Sequence, residues 1–447
     1  MMGNYQGYQK YKDSGVEWLG DIPEHWEVKR FKFLLSEPFK YGANEAAEID
    51  DPNLPRYIRI TDVKDDGNLR DDTFRSLPEE IAKDYILEES DILLARSGAT
   101  VGKTFIYRKS WGKAAYAGYL IRARVSGQNN SDFIYKFLQS KLYWDWVKSI
   151  FIQATIQNIS AEKYSNLFIT IPPLNEQEKI AQFLDYKTKQ IDELIKKKET
   201  LIEKLDEKRT ALISHAVTKG LNSSVPMKDS GIEWLGNIPE HWDVRHVKRV
   251  ADISYGVGGE IDRSLTEGIN LLSLPNVTRD GNLLVDEYGF CELSDFEKVG
   301  LILQKGDLLF NWRNGSSSHL GKTAYFDLDG EWTNVSFLLR IRFNMSQFCS
   351  RYFQYMLNGL RITGFFMVSK AGVNNTFNLN ELSNLKIICP VHSEQKQIAE
   401  YLDQKTTQID IQKAKIKQAI ELLKEYRTSL ITNAVTGKID VSQVDIP

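Results

Sequence analysis

The sequence predicts an α+β chain: two mixed α/β domains, each followed by a long helix, with the two helices pairing as an antiparallel coiled coil about a pseudo-twofold internal repeat. Three observations carry this. A framework block, Asp13-Ser-Gly-Val-Glu-Trp-Leu-Gly-Asp-Ile-Pro-Glu-His-Trp26, returns 216 residues later as Asp229-Ser-Gly-Ile-Glu-Trp-Leu-Gly-Asn-Ile-Pro-Glu-His-Trp242. A second block, from Glu176-Gln177 to Gln190-Ile191-Asp192, returns at an offset of 218 as Glu394-Gln395 to Gln408-Ile409-Asp410. Between the blocks the copies share only short landmarks, so a scaffold has been kept while the surfaces it displays have diverged.

The framework block opens each copy. Its tryptophans, Trp18, Trp26, Trp234 and Trp242, read as packing anchors against a helix end, and the first copy would need the end of the second helix, around Ala434 to Ile439, as its neighbour. His25 and His241 recur in it without a thiol or second His nearby, which favours a packed turn over a metal site.

The divergent regions follow. Tyr57-Ile-Arg-Ile60, Asp91-Ile-Leu-Leu94, Thr104-Phe-Ile-Tyr107, Leu120 to Val125 and Leu338 to Phe343 have strand length and strand patterning. Segments 132–150 and 347–360 carry apolar and aromatic residues at helical spacing. The shared landmarks are Asp66-Gly-Asn-Leu69 with Asp280-Gly-Asn-Leu283, Asp91-Ile-Leu-Leu94 with Asp307-Leu-Leu-Phe310, and Gly102-Lys-Thr104 with Gly321-Lys-Thr323.

Each copy closes on a helix. Pro172-Pro173 and Pro390 stop the strand before it, Asn175 and Ser393 are candidate N-caps, Glu176 and Glu394 suit the first turn, and Gly220 and Gly437 are natural stops. From Leu184, positions 188, 191, 195, 198, 202, 205, 209, 212 and 216 step alternately by four and three, and the second copy repeats the seam from Leu402 to Ala434. That is a heptad pattern, in helices of about 43 residues and about 65 Å. Homodimerisation is one use of such a seam. Pairing within the chain is favoured, because Lys198 corresponds to Ile416 and Ile195 to Lys413, and it would put the divergent domains at opposite ends. The predicted divisions are 1–173, 174–220, 221–390 and 391–447.

Composition excludes more than it names. With 57 basic and 60 acidic residues the net charge is −3, so bulk charge does not drive nucleic-acid coating, though local basic faces remain possible. Cys291, Cys349 and Cys389 have no CxxC spacing and read as reduced structural thiols. No apolar run has membrane-spanning length, and residues 1–12 lack a signal core, so a cytoplasmic location is expected.

Catalytic motifs fail on inspection. Ser97-Gly-Ala-Thr-Val-Gly-Lys-Thr104 resembles a phosphate-binding loop but has Ser where the first glycine belongs. Its second copy, Gly315 to Thr323, is one residue too long, and both run into strand-like sequence where a helix is needed. A basic loop between strands, or a plain surface hairpin, fits better. The adenine-methyltransferase tetrapeptide is absent: Ile171-Pro-Pro-Leu174 has only its prolines. Asp206-Glu-Lys208 mimics part of a nuclease motif but lies on the heptad helix.

Taken together, the doubled Trp-Leu-Gly-Asp/Asn-Ile-Pro-Glu-His-Trp block, the variable region, Ile-Pro-Pro-Leu-Asn-Glu-Gln-Glu-Lys-Ile and the long helix resemble the specificity subunits of Type I restriction-modification systems over nearly the full chain. The resemblance implies two target recognition domains, each reading half of a bipartite, asymmetric sequence in double-stranded DNA. It implies a non-catalytic subunit docking two modification (methyltransferase) subunits, with restriction/translocase subunits joining through the complex. No cofactor or metal is expected on this chain; S-adenosylmethionine, ATP and Mg would belong to the partners. A coiled-coil protein-binding scaffold without DNA recognition is the alternative. The candidate DNA-contacting residues are Arg96, Ser97, Gly98, Thr100, Lys103 and Thr104 in the first loop, with Gln153, Thr155, Gln157 and Asn158. In the second copy they are Arg313, Asn314, Ser316, Lys322, Asn374 and Asn375. Amides suit adenine edges, and Lys and Arg on phosphates would set the register.

Overall fold

The structure is a computed structural model that describes residues 5–64, 67–98, 100–152, 158–232, 235–258, 264–313, 319–368 and 376–446. It divides into two compact units, one of residues 1–198 with 417–447, the other of residues 199–416. The division crosses both long helices, Leu174–Lys219 and His392–Val435.

In the first unit the framework block is a tight hairpin, Tyr11–Asp13 against Asp21–Pro23. Its turn is closed by the Asp13 carboxylate, which accepts from the Gly15 amide at 2.9 Å. Glu27–Arg30 then pairs antiparallel with Phe168–Ile171. Between these strands the variable region forms a four-stranded antiparallel sheet in the order Lys40–Tyr41, Leu120–Ala123, Ile92–Ala95, Thr104–Ile106, with a parallel pair, Arg56–Ile58 and Ala114–Tyr116, beside it. Ile92–Ala95 and Leu120–Ala123 are buried throughout, Arg122 included, so both faces of these two central strands are covered. Segment 132–150 is two helices, Ser131–Phe137 and Lys141–Ile152.

The second unit repeats the plan. Met227–Asp229 pairs with Asn237–Pro239, and Asp243–His246 with Lys386–Cys389. The four-stranded sheet runs Ala251–Tyr255, Leu338–Phe343, Leu308–Asn311, Thr323–Tyr325, next to a three-stranded sheet of Gly289–Cys291, Ile269–Leu272 and Trp332–Asn334. The helix here is Ser350–Ile362.

The landmarks persist because they close the same bonds in each unit. Asp91, 1% exposed, takes a two-point ion pair from Arg124 at 2.8 Å and accepts the Glu88 amide; Asp307, also 1% exposed, does the same with Arg342 and Gln304. Gln177 accepts the amide of Asn130 and donates to the Pro172 carbonyl, and Gln395 makes the matching bonds with Cys349 and Pro390. A buried carboxylate or amide that lost these partners would be left unsatisfied, so such residues resist change.

The seam is as the heptads predict. Leu184, Thr188, Ile191, Leu205 and Ala216 are buried, as are Leu402, Thr406, Ile409, Ile420, Leu430 and Ala434, and the intervening seam positions are half-buried. In the second unit Asp206 meets Lys413 and Arg209 meets Asp410: three residues forward on one helix match three backward on the other, which is antiparallel pairing. In the first unit Asp192 meets Arg427, and Ile195 and Leu423 join one core. The helices begin at Leu174 and His392, so Asn175 and Ser393 lie inside the first turn instead of capping it.

The tryptophan anchors find the helix ends. Trp26 is fully buried in a core with Leu430, Ile431, Ala434 and Val435, and Gly437, at φ +69°, leaves no room for a side chain against Pro23. Tyr11 donates to the Gly437 carbonyl at 2.9 Å. Trp18 is half-buried at the edge of the same core. In the other unit Trp242 is buried in a core with Ala216 and Val217, beside Gly220. Trp234 lies outside the described residues.

Candidate nucleic-acid interface

In each unit one corner of the four-stranded sheet brings together segments far apart in sequence. In the first unit, Ser97 forms an antiparallel bridge with Asn158, and the Ile159 amide donates to the Arg96 carbonyl at 2.8 Å. In the second, Arg313 bridges Thr376, and the Phe377 amide donates to the Trp312 carbonyl at 2.8 Å. The chain that leaves the central strand therefore meets the chain that leads to the long helix at the same place twice.

The side chains at that corner differ. The Arg96 guanidinium lies 4.7 Å over the ring of Tyr41, and its amide donates to the carbonyl of Tyr119, which is 65% exposed. In the second unit Trp312 packs edge-on to Tyr255 at 5.5 Å and donates to the Ser336 carbonyl at 2.7 Å. Arg313 lies 5.7 Å over Phe337, which is 43% exposed. Phe337 and Tyr119 hold equivalent places, each directly before the strand that starts at Leu338 or Leu120. Stacking on an aromatic face fixes the plane of a guanidinium, and its fork of donors suits a guanine edge or a phosphate.

The other predicted residues are distributed as follows. Gly98 and Lys103 are exposed, and Ser97, Thr100, Thr104 and Asn158 half-buried, in or beside the loop that joins Ile92–Ala95 to Thr104–Ile106. The turn is held by the Gly102 amide on the Ala95 carbonyl at 3.0 Å and by the Lys103 amide on Thr100 at 3.0 Å. Gly102 sits at φ +82° where a β-carbon would run into Val147, and Gly321 at φ +83° where one would run into Phe366. The duplicated Gly-Lys-Thr therefore marks a glycine required by a left-handed turn packed on a helix, not a phosphate cradle. Lys322 is 9% exposed, its ammonium 3.4 Å from the Val277 carbonyl, and so stands behind the surface rather than on it. Gln153, Thr155, Gln157, Asn314, Ser316, Asn374 and Asn375 lie outside the described residues.

Sequence reasoning missed the aromatic partners Tyr41, Tyr119, Tyr255, Trp312 and Phe337. The available signal was the paired Tyr119-Leu120 and Phe337-Leu338, an aromatic at the solvent end of a buried strand in both copies. The histidines of the framework block meet carboxylates, His25 on Glu176 and His241 on Glu394, each at 2.9 Å. Among the described residues no cluster of three or more His, Cys, Asp or Glu side chains could hold a metal ion, and no helix is long and apolar enough to cross a membrane.

Residues 23–204 and 294–422 match the family described as Type I restriction modification DNA specificity domain. The Type I restriction enzyme MjaVIII specificity subunit of Methanocaldococcus jannaschii is 27% identical, covering 98% of this chain and 99% of that protein. The StySPI specificity subunit of Salmonella potsdam is 22% identical over 94% of this chain and 90% of its own length. Among solved structures, a chain from a study of complex assembly and conformational transition of the type I R-M system superposes with a TM-score of 0.73 at 14% identity, covering 93% of this chain and 98% of its own. The HsdS subunit from Thermoanaerobacter tengcongensis gives 0.56 at 15% identity, covering 94% of this chain and 98% of its own. With both of its repeats matched and relatives aligned end to end, the chain belongs to the family of Type I restriction-modification DNA specificity subunits.

Proposed function

We propose that each mixed domain reads one half of a bipartite DNA target, and that the chain delivers two modification subunits, and through them the restriction subunits, to that target without chemistry of its own. The observation that carries this is the doubled corner: the same backbone bridge in both units, furnished with Arg96, Tyr41 and Tyr119 in one and with Trp312, Arg313, Tyr255 and Phe337 in the other. One frame with two different sets of base-reading chemistry suits an asymmetric target. Joining two modest binders on one chain raises affinity through effective concentration and rejects half-sites at the wrong spacing.

The test is strand-specific methylome sequencing of cells carrying the chain with its modification subunit, together with binding of that complex to duplex DNA. Arg96→Ala is expected to weaken or relax one half-site by about 1–3 kcal/mol, and Arg313→Ala the other by a similar amount. Loss spread equally over both half-sites by either variant would sink the assignment. No affinity for duplex DNA, even with the modification subunit present, would favour a protein-binding scaffold.

A further inference from the structure

The second unit contains a cleft of about 660 Å³, lined among others by Arg209, Arg279, Arg351, Arg361 and Lys413. Its cations fall into two groups. Arg209 pairs with Asp410, Lys413 with Asp206 and Arg351 with Asp403. Arg279 and Arg361 have no carboxylate partner among the described residues. Arg361 donates from Nη2 to the Arg279 carbonyl at 2.7 Å, and its Nε is buried without an acceptor among the described residues. Lys322, 9% exposed and within electrostatic reach of both, has the Val277 carbonyl at 3.4 Å as its acceptor among the described residues.

His319 lies within electrostatic reach of all three cations. Burial first, and then the charges of Lys322, Arg279 and Arg361, lower the pKa of His319; burial, Arg361 and Arg279 lower that of Lys322; burial and Arg279 lower that of Arg361. The nearby carboxylate is the exposed Asp280, whose opposing effect on Arg361 is the smallest of the three influences on it. Like charges gathered at a half-buried site and offset only in part by an exposed carboxylate cost stability unless a ligand supplies further negative charge.

Resting on the DNA-reading function proposed above, we propose that Arg279, Lys322 and Arg361, with His319, form a phosphate-binding site that belongs to the second unit alone. Guanidinium forks match phosphate oxygens, and a buried ammonium adds a point charge. The aligned landmarks put Asp65, Thr100 and Leu142 of the first copy where Arg279, His319 and Arg361 stand in the second, so the first unit keeps only Lys103 of the set. The phosphate has two possible sources, a backbone phosphodiester of bound DNA or a free phosphate group.

Two arms test this with the full chain. In the first, the complex with its modification subunit binds duplex DNA over a range of salt concentrations, for wild type, R279Q and the double variant R279Q/R361Q. Loss of one phosphate contact is expected to lower the slope of log affinity against log salt by about 1 and to weaken binding roughly tenfold, with base preference unchanged. In the second, thermal unfolding is compared in inorganic phosphate and in chloride at equal ionic strength; wild type is expected to gain stability from phosphate and the variants not. Arg279 is exposed and, among the described residues, lends its backbone carbonyl and not its side chain to the fold's hydrogen bonds, so R279Q reports on binding without disturbing the core. A DNA effect identifies the phosphodiester as ligand; phosphate stabilisation lost in the variants, without a DNA effect, identifies a free phosphate. Unchanged behaviour in both arms overturns the site. Wild type that fails to bind DNA would count against the proposed function, and the phosphate arm would still decide the site.

Discussion

At the scale of single residues, the positions kept in both copies include those where one side chain holds two segments together. Glu176, 8% exposed at the start of the first long helix, accepts from the hydroxyl of Tyr8, from His25 Nε2 at 2.9 Å and from Trp26 Nε1 at 3.1 Å. Glu394, at the equivalent position, accepts among the described residues from His241 and Trp242, each at 2.9 Å, and its side chain is 24% exposed against 10% for that of Glu176. Removing a buried charged acceptor strands its donors, so Glu176→Ala is expected to cost about 2–4 kcal/mol, and Glu394→Ala, with fewer donors and more water, about 1–2 kcal/mol. Urea unfolding of the two variants followed by tryptophan fluorescence checks the order, and an equal or reversed cost would refute this account of the repeated Glu. The sequence could show that Pro-Glu-His-Trp and Asn-Glu-Gln or Ser-Glu-Gln recur together. It could not show that one carboxylate joins them, because nothing local in Glu176 points to residues 150 positions away.

At the scale of elements, legibility followed periodicity. The long helices were readable because the 3.5-residue repeat persists through seam positions such as Ile191, Leu205, Ile409 and Ile420, and each of these is buried. The split of 132–150 into two helices was not readable, since Leu138 to Ser140 carry no breaker signal and the second helix is anchored after them by distant partners, the Lys141 amide on Thr432 of the second long helix and the Tyr143 hydroxyl on the Gly102 carbonyl. The reading corner was illegible for a related reason: Arg96 and Tyr41 meet only because the sheet order places Leu120–Ala123 between their strands. Within the helix pair the apolar seam should dominate the ions that flank it. Ile409→Ala, at a position 4% exposed, is expected to destabilise by about 2–4 kcal/mol. Arg209→Ala, which breaks the pair with the half-exposed Asp410, should cost about 1 kcal/mol or less. Denaturant midpoints at low and high salt separate the two, because only the ionic contribution should shrink as salt rises; a larger loss for Arg209→Ala would mean that the charges, not the seam, hold the helices together.

At the scale of the molecule, the duplication makes each variable region an insert whose ends are neighbours. Glu27–Arg30 pairs with Phe168–Ile171, so the chain leaves the frame at Phe31 and returns at Leu167, where the Phe31 amide donates to the Leu167 carbonyl at 2.8 Å. The second copy leaves at Val247 and returns at Leu385, closed by the matching bond at 3.0 Å. The bonds from frame to insert at Gln177 and Gln395 are made to backbone amides, of Asn130 and Cys349, and therefore do not depend on the side chains an insert brings. A chimera in which residues 247–385 replace residues 31–167 is thus expected to fold and, with its modification subunit, to direct methylation to a target whose two halves are both the present second half-site. Such a chimera would also carry the Arg279, Lys322 and Arg361 cluster twice, so its DNA affinity should fall more steeply with salt than that of the native chain. Methylome sequencing reads the first outcome directly. A folded chimera that still marked two different half-sites would show that the frame, and not the insert, reads the sequence.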